Sequence, residues 1–459
     1  MITDTIVALA TPSGVGAIGI VRLSGEKSIE ICNEVFKSVK GDKDLREQKT
    51  HTLHFGTIND GDRIIDEVLV SIFKGNSSYT GETSVEVSCH GSQYILQEVI
   101  NLFIRKGARM AKAGEFTLRA FTNGKLDLSQ AEAVADLIHS ESEAAHKTAM
   151  QQMRGGFSKE IEQLRDELIH FASMIELELD FGEEDVEFAD RGALEALVAK
   201  IKKVIKRLID SFAVGNVIKN GIPVAIVGEP NVGKSTLLNL LLNEERAIVS
   251  DIAGTTRDTI EDELNIGGQI FRFIDTAGIR ETTDTVESLG IAKTFEKIDQ
   301  ASIVIYLFDA SKPHKKEIEE IEKISKRVGD TNLIILANKI DIADKTVIEK
   351  EFSTHENLFM ISAKHNQGVD KLTNKLLSFA NTGKVSDNQN IVTNSRHYEA
   401  LLLAFAELTK VEEGLAINLS GDFLAIDIRQ ALYHLGEITG QVSTDDLLGH
   451  IFSSFCIGK

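Results

Sequence analysis

The chain is 459 residues long, with 42% hydrophobic and 26% charged residues. These ordinary globular proportions exclude extended disorder and a fibrous protein, and the length implies two to four domains. The formal net charge of −20 excludes RNA binding through the field of the whole molecule, so any such contact must use a local basic patch. Cys32, Cys89 and Cys456 lie far apart and form no Cys-x-x-Cys pair, so neither a disulfide framework nor a zinc site is indicated, and the reducing cytosol is the expected compartment. The first residues lack a basic signal region and no apolar run approaches the roughly 18 residues of a membrane span, so an integral membrane protein is not expected.

In chain order, residues 5 to about 89 offer short β-branched runs (IVALA, IGIVRLS, THTLHFGTI, IIDEVLVSIF, SVEVSCHG) separated by Gly, Asn and Asp turn signals, the pattern of a small sheet. Residues 92–106 carry apolar side chains at helical spacing, so an α+β domain is predicted. After Asn123, Ser129-Gln130-Ala131-Glu132 reads as a capping box, in which the serine and glutamate satisfy orphan N–H groups at a helix start. A long Ala/Leu/Glu-rich helical region follows, and its segment 176–190 holds eight acids and no base, either a solvated face or a site for a cation or partner. From Gly221 hydrophobic strands alternate with helices (IPVAIVG, FRFIDTAG, SIVIYLFDAS, NLIILANKID, NLFMISAK), predicting an α/β block on a mostly parallel sheet. Helical periodicity returns from Ser395 to about Gly440. The α/β block therefore reads as an insertion into one helical domain built from two separated pieces.

The strand IPVAIV runs into Gly228-Glu229-Pro230-Asn231-Val232-Gly233-Lys234-Ser235-Thr236 and then a helix, the full context of a phosphate-binding P-loop. In such a loop the backbone N–H groups face phosphate, Lys234 reaches the β- and γ-oxygens, and Ser235 offers a hydroxyl to Mg²⁺. Asp275-Thr276-Ala277-Gly278 follows FRFI, placing a carboxylate for water-mediated Mg²⁺ contact and Gly278 for the γ-phosphate. Asn338-Lys339-x-Asp341 closes another apolar strand, and its carboxylate suits the N1–H and N2–H₂ donors of guanine, which adenine cannot present. Ser362-Ala363-Lys364 adds a loop whose backbone can donate to guanine O6. These elements in this order select GTP over ATP. Between P-loop and DTAG, the segment Ser250-Asp251-Ile252-Ala253-Gly254-Thr255-Thr256-Arg257-Asp258 stands where a switch is expected, with Thr256 placed for Mg²⁺. After DTAG comes Ile279, and an aliphatic side chain cannot orient water. Glu287 is the candidate for that task, the alternative being an exposed helix acid. Arg257 and Arg280 are available as cationic groups, or as members of surface ion pairs.

Five further segments stand along the chain: DTIVALATPSGVGAIGIVRLSG, YTGE with a following HG, GEFTLRAFTNGKLDLSQAEAVADLI, SDIAGTTRD and the terminal DDLLGHIFSSFCIGK. By these the chain resembles, over its whole length, the bacterial tRNA modification GTPases of the MnmE/TrmE family. The resemblance implies a multidomain α/β protein: an N-terminal α+β folate-binding and dimerisation domain over 1–118, a discontinuous helical domain over 119–215 and 383–459, and an inserted Ras-like P-loop GTPase domain over 216–382. It further implies a homodimer that works with an FAD-containing MnmG/GidA-type subunit. Together they would install a carboxymethylaminomethyl or aminomethyl group at C5 of the wobble uridine of certain tRNAs, a tetrahydrofolate derivative (5-formyl or 5,10-methylene) donating one carbon. Carried onto this sequence, the folate contacts are Arg22, Glu86, Lys125 and Lys459. K⁺ falls to Asn231, Ser250, Ile252 and Thr255, Mg²⁺ to Ser235 and Thr256, and the catalytic acid to Glu287. Family members often carry threonine where Ser250 stands, a change of little consequence if the backbone carbonyl or the hydroxyl is what binds. Cys456 is either a nucleophile toward the carbon unit or a plain thiol. Against this reading stands a GTP-switched RNA-binding or ribosome-assembly factor, in which the N-terminal segment would serve only as a dimer scaffold.

Overall fold

The computed structural model describes residues 4–39, 41, 43–180, 191–244, 262–274, 298–328, 332–380, 390–453 and 455–458. They form two compact units: Met1–Ile138, Met150–Lys203 and Ala400–Lys459 make the first, and His139–Ala149 with Val204–Glu399 the second.

The first unit opens on a seven-stranded sheet made of β1 (Ile6–Leu9), β2 (Ile18–Ser24), β3 (Phe36–Ser38), β4 (Thr52–Asp60), β5 (Arg63–Phe73), β6 (Ser84–His90) and β7 (Arg109–Met110). Its order is β3-β4-β5-β6-β2-β1-β7, antiparallel except where β7 runs parallel to β1. Alternation decides the faces. On β6, Val85, Val87 and Cys89 enter a core with Val21, Leu23, Val70 and Phe103, covered by α1 (Ser28–Val35) and α2 (Gln93–Arg105); Glu86 and Ser88 point to the other face, across from Arg22 and Ile20 of β2. The five predicted strands and the helix at 92–106 are all present. The short elements α1, β3 and β7 were not anticipated.

Two helices follow, α3 (Glu115–Thr122) and α4 (Leu128–Ile138). The capping box predicted at Ser129–Glu132 is corrected: Ser129 lies inside α4, fully buried, and its hydroxyl has no partner. The reciprocal pair is Asp127 and Gln130 instead. The Gln130 amide donates to Asp127 Oδ1 at 2.8 Å, and the Asp127 amide donates to Gln130 Oε1 at 3.0 Å. Buried apolar Leu128 and Ala131 fix which residues face inward, so the helix starts one residue before the serine and places the cap at Asp127.

The helices α5 (Glu143–Met153), α6 (Gly156–Asp180) and α7 (Arg191–Asn220) come before the α/β block in sequence, and α12 (Ser395–Ala416), α13 (Gly421–Thr439) and α14 (Asp445–Ser453) come after it and the four helices of its described residues. Helix α6 packs along α13, with Arg165 donating to the Leu432 carbonyl, and Lys202 of α7 pairs with Glu412 of α12. Residues more than two hundred positions apart thus share one helical domain. The C-terminal end also returns to the sheet unit: Phe452 and Phe455 pack with Leu128, and Ile457 bridges Ala113. Gly114, at φ 65°, must be glycine, because a Cβ there would lie 2.5 Å from the Phe452 carbonyl oxygen.

The second unit is a six-stranded sheet of β8 (Ile222–Val227), β9 (Asp262–Ile266), β10 (Gln269–Phe273), β11 (Ile303–Asp309), β12 (Leu333–Asn338) and β13 (Leu358–Met360), ordered β13-β12-β11-β8-β10-β9. Only β9, absent from the sequence reading, is antiparallel. Strand β11 is buried throughout: Ile303, Ile305 and Leu307 enter the core on one face, Val304, Tyr306 and Phe308 the core on the other. A parallel strand covered on both faces needs this unbroken apolar run. The covering helices include α8 (Lys234–Glu244), α9 (Lys315–Val328), α10 (Lys345–Glu351) and α11 (Val369–Ala380). No helix among the described residues is long and apolar enough to cross a membrane.

Candidate functional site

The loops that follow the carboxyl ends of β8, β11, β12 and β13 lie at one edge of the second sheet, where ligands of open α/β sheets sit. After β8 the chain turns through Gly228 and Gly233, at φ 144° and 103°. A Cβ on Gly228 would meet the Leu307 carbonyl oxygen at 2.0 Å, and one on Gly233 would meet Asn338 Nδ2 at 2.3 Å, so both positions exclude a side chain. Asn231 holds φ 64° between them. Helix α8 begins at Lys234, which puts Lys234, Ser235 and Thr236 in its first turn at the positive end of the helix dipole, where anions are favoured. The Lys234 ammonium folds over the loop, donating to the carbonyls of Gly228 at 2.6 Å and Glu229 at 3.0 Å.

Asn338 joins three of the sequence motifs. Almost fully buried, it donates from Nδ2 to the Val232 carbonyl at 2.8 Å and accepts at Oδ1 from the Ala363 amide at 3.0 Å, so the end of β12 is bonded to the phosphate loop and to Ser362-Ala363-Lys364. Lys339, at φ 64°, donates to the Asn231 carbonyl at 3.2 Å and to Asp309 Oδ2 at 2.7 Å. Asp341 accepts the Ser362 hydroxyl at 2.7 Å on Oδ1, and His365 Nε2 lies 3.7 Å from Oδ2. The Ser362 hydrogen bond outweighs burial and holds this carboxyl below its ordinary range, so it is an acceptor at neutral pH. Ser362 is itself set by paired amide bonds with Gln367, at 3.0 and 3.1 Å.

Of the residues expected to bind nucleotide, Asn231, Val232, Gly233, Asn338, Lys339, Asp341, Ser362 and Ala363 are joined by these contacts, with Lys234, Ser235 and Thr236 adjoining. Lys364 follows as an exposed side chain. Ser250, Asp251, Ile252, Ala253, Gly254, Thr255, Thr256, Asp275, Thr276, Ala277, Gly278 and Glu287 lie outside the described residues.

In the first unit, Arg22 and Glu86 face each other across β2 and β6. Arg22 Nε donates to Glu86 Oε1 at 2.9 Å and Nη2 lies 2.8 Å from the same oxygen. The guanidinium sits 5.6 Å from the ring centre of Tyr79 and 5.7 Å from that of Phe116, and Nη1 donates to the Gly458 carbonyl at 3.5 Å. Lys125 donates to the Asn76 carbonyl at 2.9 Å, and its stem lies beside Gly81, two residues from Tyr79. Arg22, Glu86 and the C-terminal tail therefore meet, and Lys125 reaches the loop that supplies the aromatic wall. Lys459 is outside the described residues. Cys456 is exposed.

Comparison with known proteins covers nearly the whole chain. The family described as "GTP-binding protein TrmE N-terminus" matches residues 5–125, and that described as "MnmE helical domain" matches 128–456. The tRNA modification GTPase MnmE of Flavobacterium psychrophilum is 64% identical over 459 residues, and that of Flavobacterium johnsoniae 65% over 463, each alignment covering 99% of both chains. The protein of the same description from Bacteroides fragilis is 56% identical over 464 residues, again with 99% of both chains. The chain belongs to the MnmE family.

Family membership bears out the resemblance drawn from the motifs, and the two family models fall on the N-terminal and helical parts of the chain. Two groups escaped the sequence reading of the sites. Tyr79 and Phe116 wall the Arg22 pair; Tyr79 stands in the YTGE motif, but its ring contact is a tertiary fact. Asp309 was not singled out either, although a carboxylate closing an all-apolar strand is a signal in itself, because a buried acid needs a cation or donors.

Proposed function

We propose that the chain hydrolyses GTP as part of an enzyme that, with an FAD-containing partner, modifies C5 of the wobble uridine of certain tRNAs using a tetrahydrofolate one-carbon donor. The observation that carries the nucleotide half is Asn338, which bonds the base-reading and phosphate loops together while the ionised Asp341 stands two residues on from Lys339. Lys234 would leave its loop carbonyls for the β- and γ-oxygens, Asp341 would accept from guanine N1 and N2, and Ala363 and Lys364 would line O6. The Ser235 hydroxyl, with Thr256, would hold Mg²⁺, and the amide oxygen of Asn231, with Ser250, Ile252 and Thr255, would hold K⁺, oxygen donors of the kind that hard cations take. Bound, these ions would offset charge developing on the β–γ bridge. Glu287 would orient the attacking water, the task that Ile279 cannot perform.

The folate half rests on the Arg22–Glu86 pair under Tyr79 and Phe116. Glu86 can accept from an aminopyrimidine edge, the half-buried Tyr79 ring can stack on a pterin with Phe116 buried behind the pair, and Lys125 and Lys459 suit the glutamate carboxylates. A homodimer completes this reading. The deciding experiment is nucleoside analysis of wobble uridines from cells with and without the protein, together with calorimetry against 5-formyltetrahydrofolate. Loss of the modified base and measurable folate binding are expected. Unchanged wobble uridines would overturn the modification role, and absent folate affinity would overturn the donor site.

A further inference from the structure

Asp309 closes β11, outside every nucleotide motif, with its side chain 5% exposed. It accepts the Ser311 amide at 3.1 Å and the Ser311 hydroxyl at 2.7 Å on Oδ1, leaving Oδ2 for the Lys339 ammonium at 2.7 Å. That ammonium also donates to the Asn231 carbonyl in the phosphate loop. Lys339 and Asn231 are both in the left-handed backbone region, each at φ 64°. Asparagine tolerates this conformation, but lysine adopts it only where its surroundings impose it.

We infer that Asp309 is a positioning residue for nucleotide binding: by fixing the Lys339 ammonium against the Asn231 carbonyl, it locks the base-reading loop to the phosphate loop. The inference rests on the nucleotide reading above and adds a residue that no motif assigns. Lys339 sits between Asn338, which bonds Val232 and Ala363, and the base-reading Asp341. A displaced Lys339 backbone therefore moves both neighbours. A buried carboxylate that loses its cation is costly, so the locked arrangement is strongly preferred over neighbouring ones. Burial alone would push the Asp309 carboxyl up, but the bonds from Lys339 and Ser311 prevail and hold it below its usual range, in the charged form the lock requires.

The test is equilibrium binding of a fluorescent GDP derivative to the full chain, in wild type, Asp309→Asn, Lys339→Met and the double variant, with thermal unfolding of each recorded. Affinity is expected to fall about tenfold or more in each single variant, and the double variant is expected to bind no more weakly than Lys339→Met, because Asp309 acts through that lysine. Losses that multiply in the double variant, or wild-type affinity in Asp309→Asn, would overturn the inference. Should Asp309→Asn fail to fold, Asp309→Glu, which keeps the charge but moves it from Lys339, takes its place, and wild-type affinity in that variant overturns the inference. A wild-type chain that binds no GDP removes the nucleotide reading itself, an outcome distinct from the others.

Discussion

The motif residues were legible at the level of single side chains because their chemistry is local. A glycine-bounded loop between strand and helix, or an aspartate two residues past an Asn-Lys pair, states its task within nine residues. What could not be read was the wiring. Asn338 reaches Val232 and Ala363 across long stretches of chain, and no spacing rule connects them. The consequences for specificity can be measured. Replacing Asp341 by asparagine exchanges an acceptor for an amide donor, so guanine affinity should fall and preference should move toward xanthine nucleotides in a competition assay; unchanged selectivity would remove Asp341 from the base site. Because Ser362 donates to Asp341 and keeps its carboxyl low, the charged acceptor persists as pH falls below the ordinary carboxylate range near 3.9. Ser362→Ala should let that carboxyl rise, so guanine binding would be lost at a higher pH than in wild type. A GDP affinity profile from pH 7 downward reads the difference, and superimposable profiles would rule the effect out. Asn231 offers a further test. If its amide helps hold K⁺, wild-type turnover should be fast in KCl and slow in NaCl, whereas Asn231→Ala should turn over slowly in both; a wild type with equal rates in the two salts has no K⁺ role.

At the scale of elements, periodicity served well where runs were long. The alternation in β6 and the unbroken apolar run of β11 follow from one covered face and from two. The elements α1, β3, β7 and β9 carry no clear signal, because they are short or lie in polar sequence: β9 is DELNI, held by pairing with β10 rather than by a pattern of its own. The cap of α4 is ambiguous in sequence, because Ser-x-x-Glu and Asp-x-x-Gln overlap between 127 and 132, and burial chose between them. Asp127→Ala should therefore lower stability by about 1 kcal/mol. Ser129→Ala should leave stability unchanged or raise it, since the buried hydroxyl has no partner and its removal relieves an unmet hydrogen bond. Chemical denaturation followed by helix ellipticity distinguishes the two caps: a larger loss for Ser129→Ala than for Asp127→Ala would restore the serine.

At the scale of the molecule, the return of helical pattern after the α/β block was enough to expect one helical domain made from two pieces, and the packing of α6 on α13 gives that expectation its physical basis. The destination of the C-terminal tail was not legible, since FCIGK has no periodicity to place it. The structure ties it down through Gly458, at φ 101°, whose missing Cβ would lie 2.1 Å from the Leu9 carbonyl oxygen. Any side chain there must push the tail off β1, and the contact from Arg22 to the Gly458 carbonyl goes with it. The nucleotide residues, by contrast, all belong to the other unit. Gly458→Ala should accordingly weaken retention of a tetrahydrofolate derivative, through the lost Arg22 contact, while GDP affinity stays at the wild-type value. Calorimetry with 5-formyltetrahydrofolate and with GDP on the same preparation decides between the outcomes. A parallel fall in both affinities would mean general unfolding, and full folate affinity in Gly458→Ala would mean that the tail is no part of the folate site.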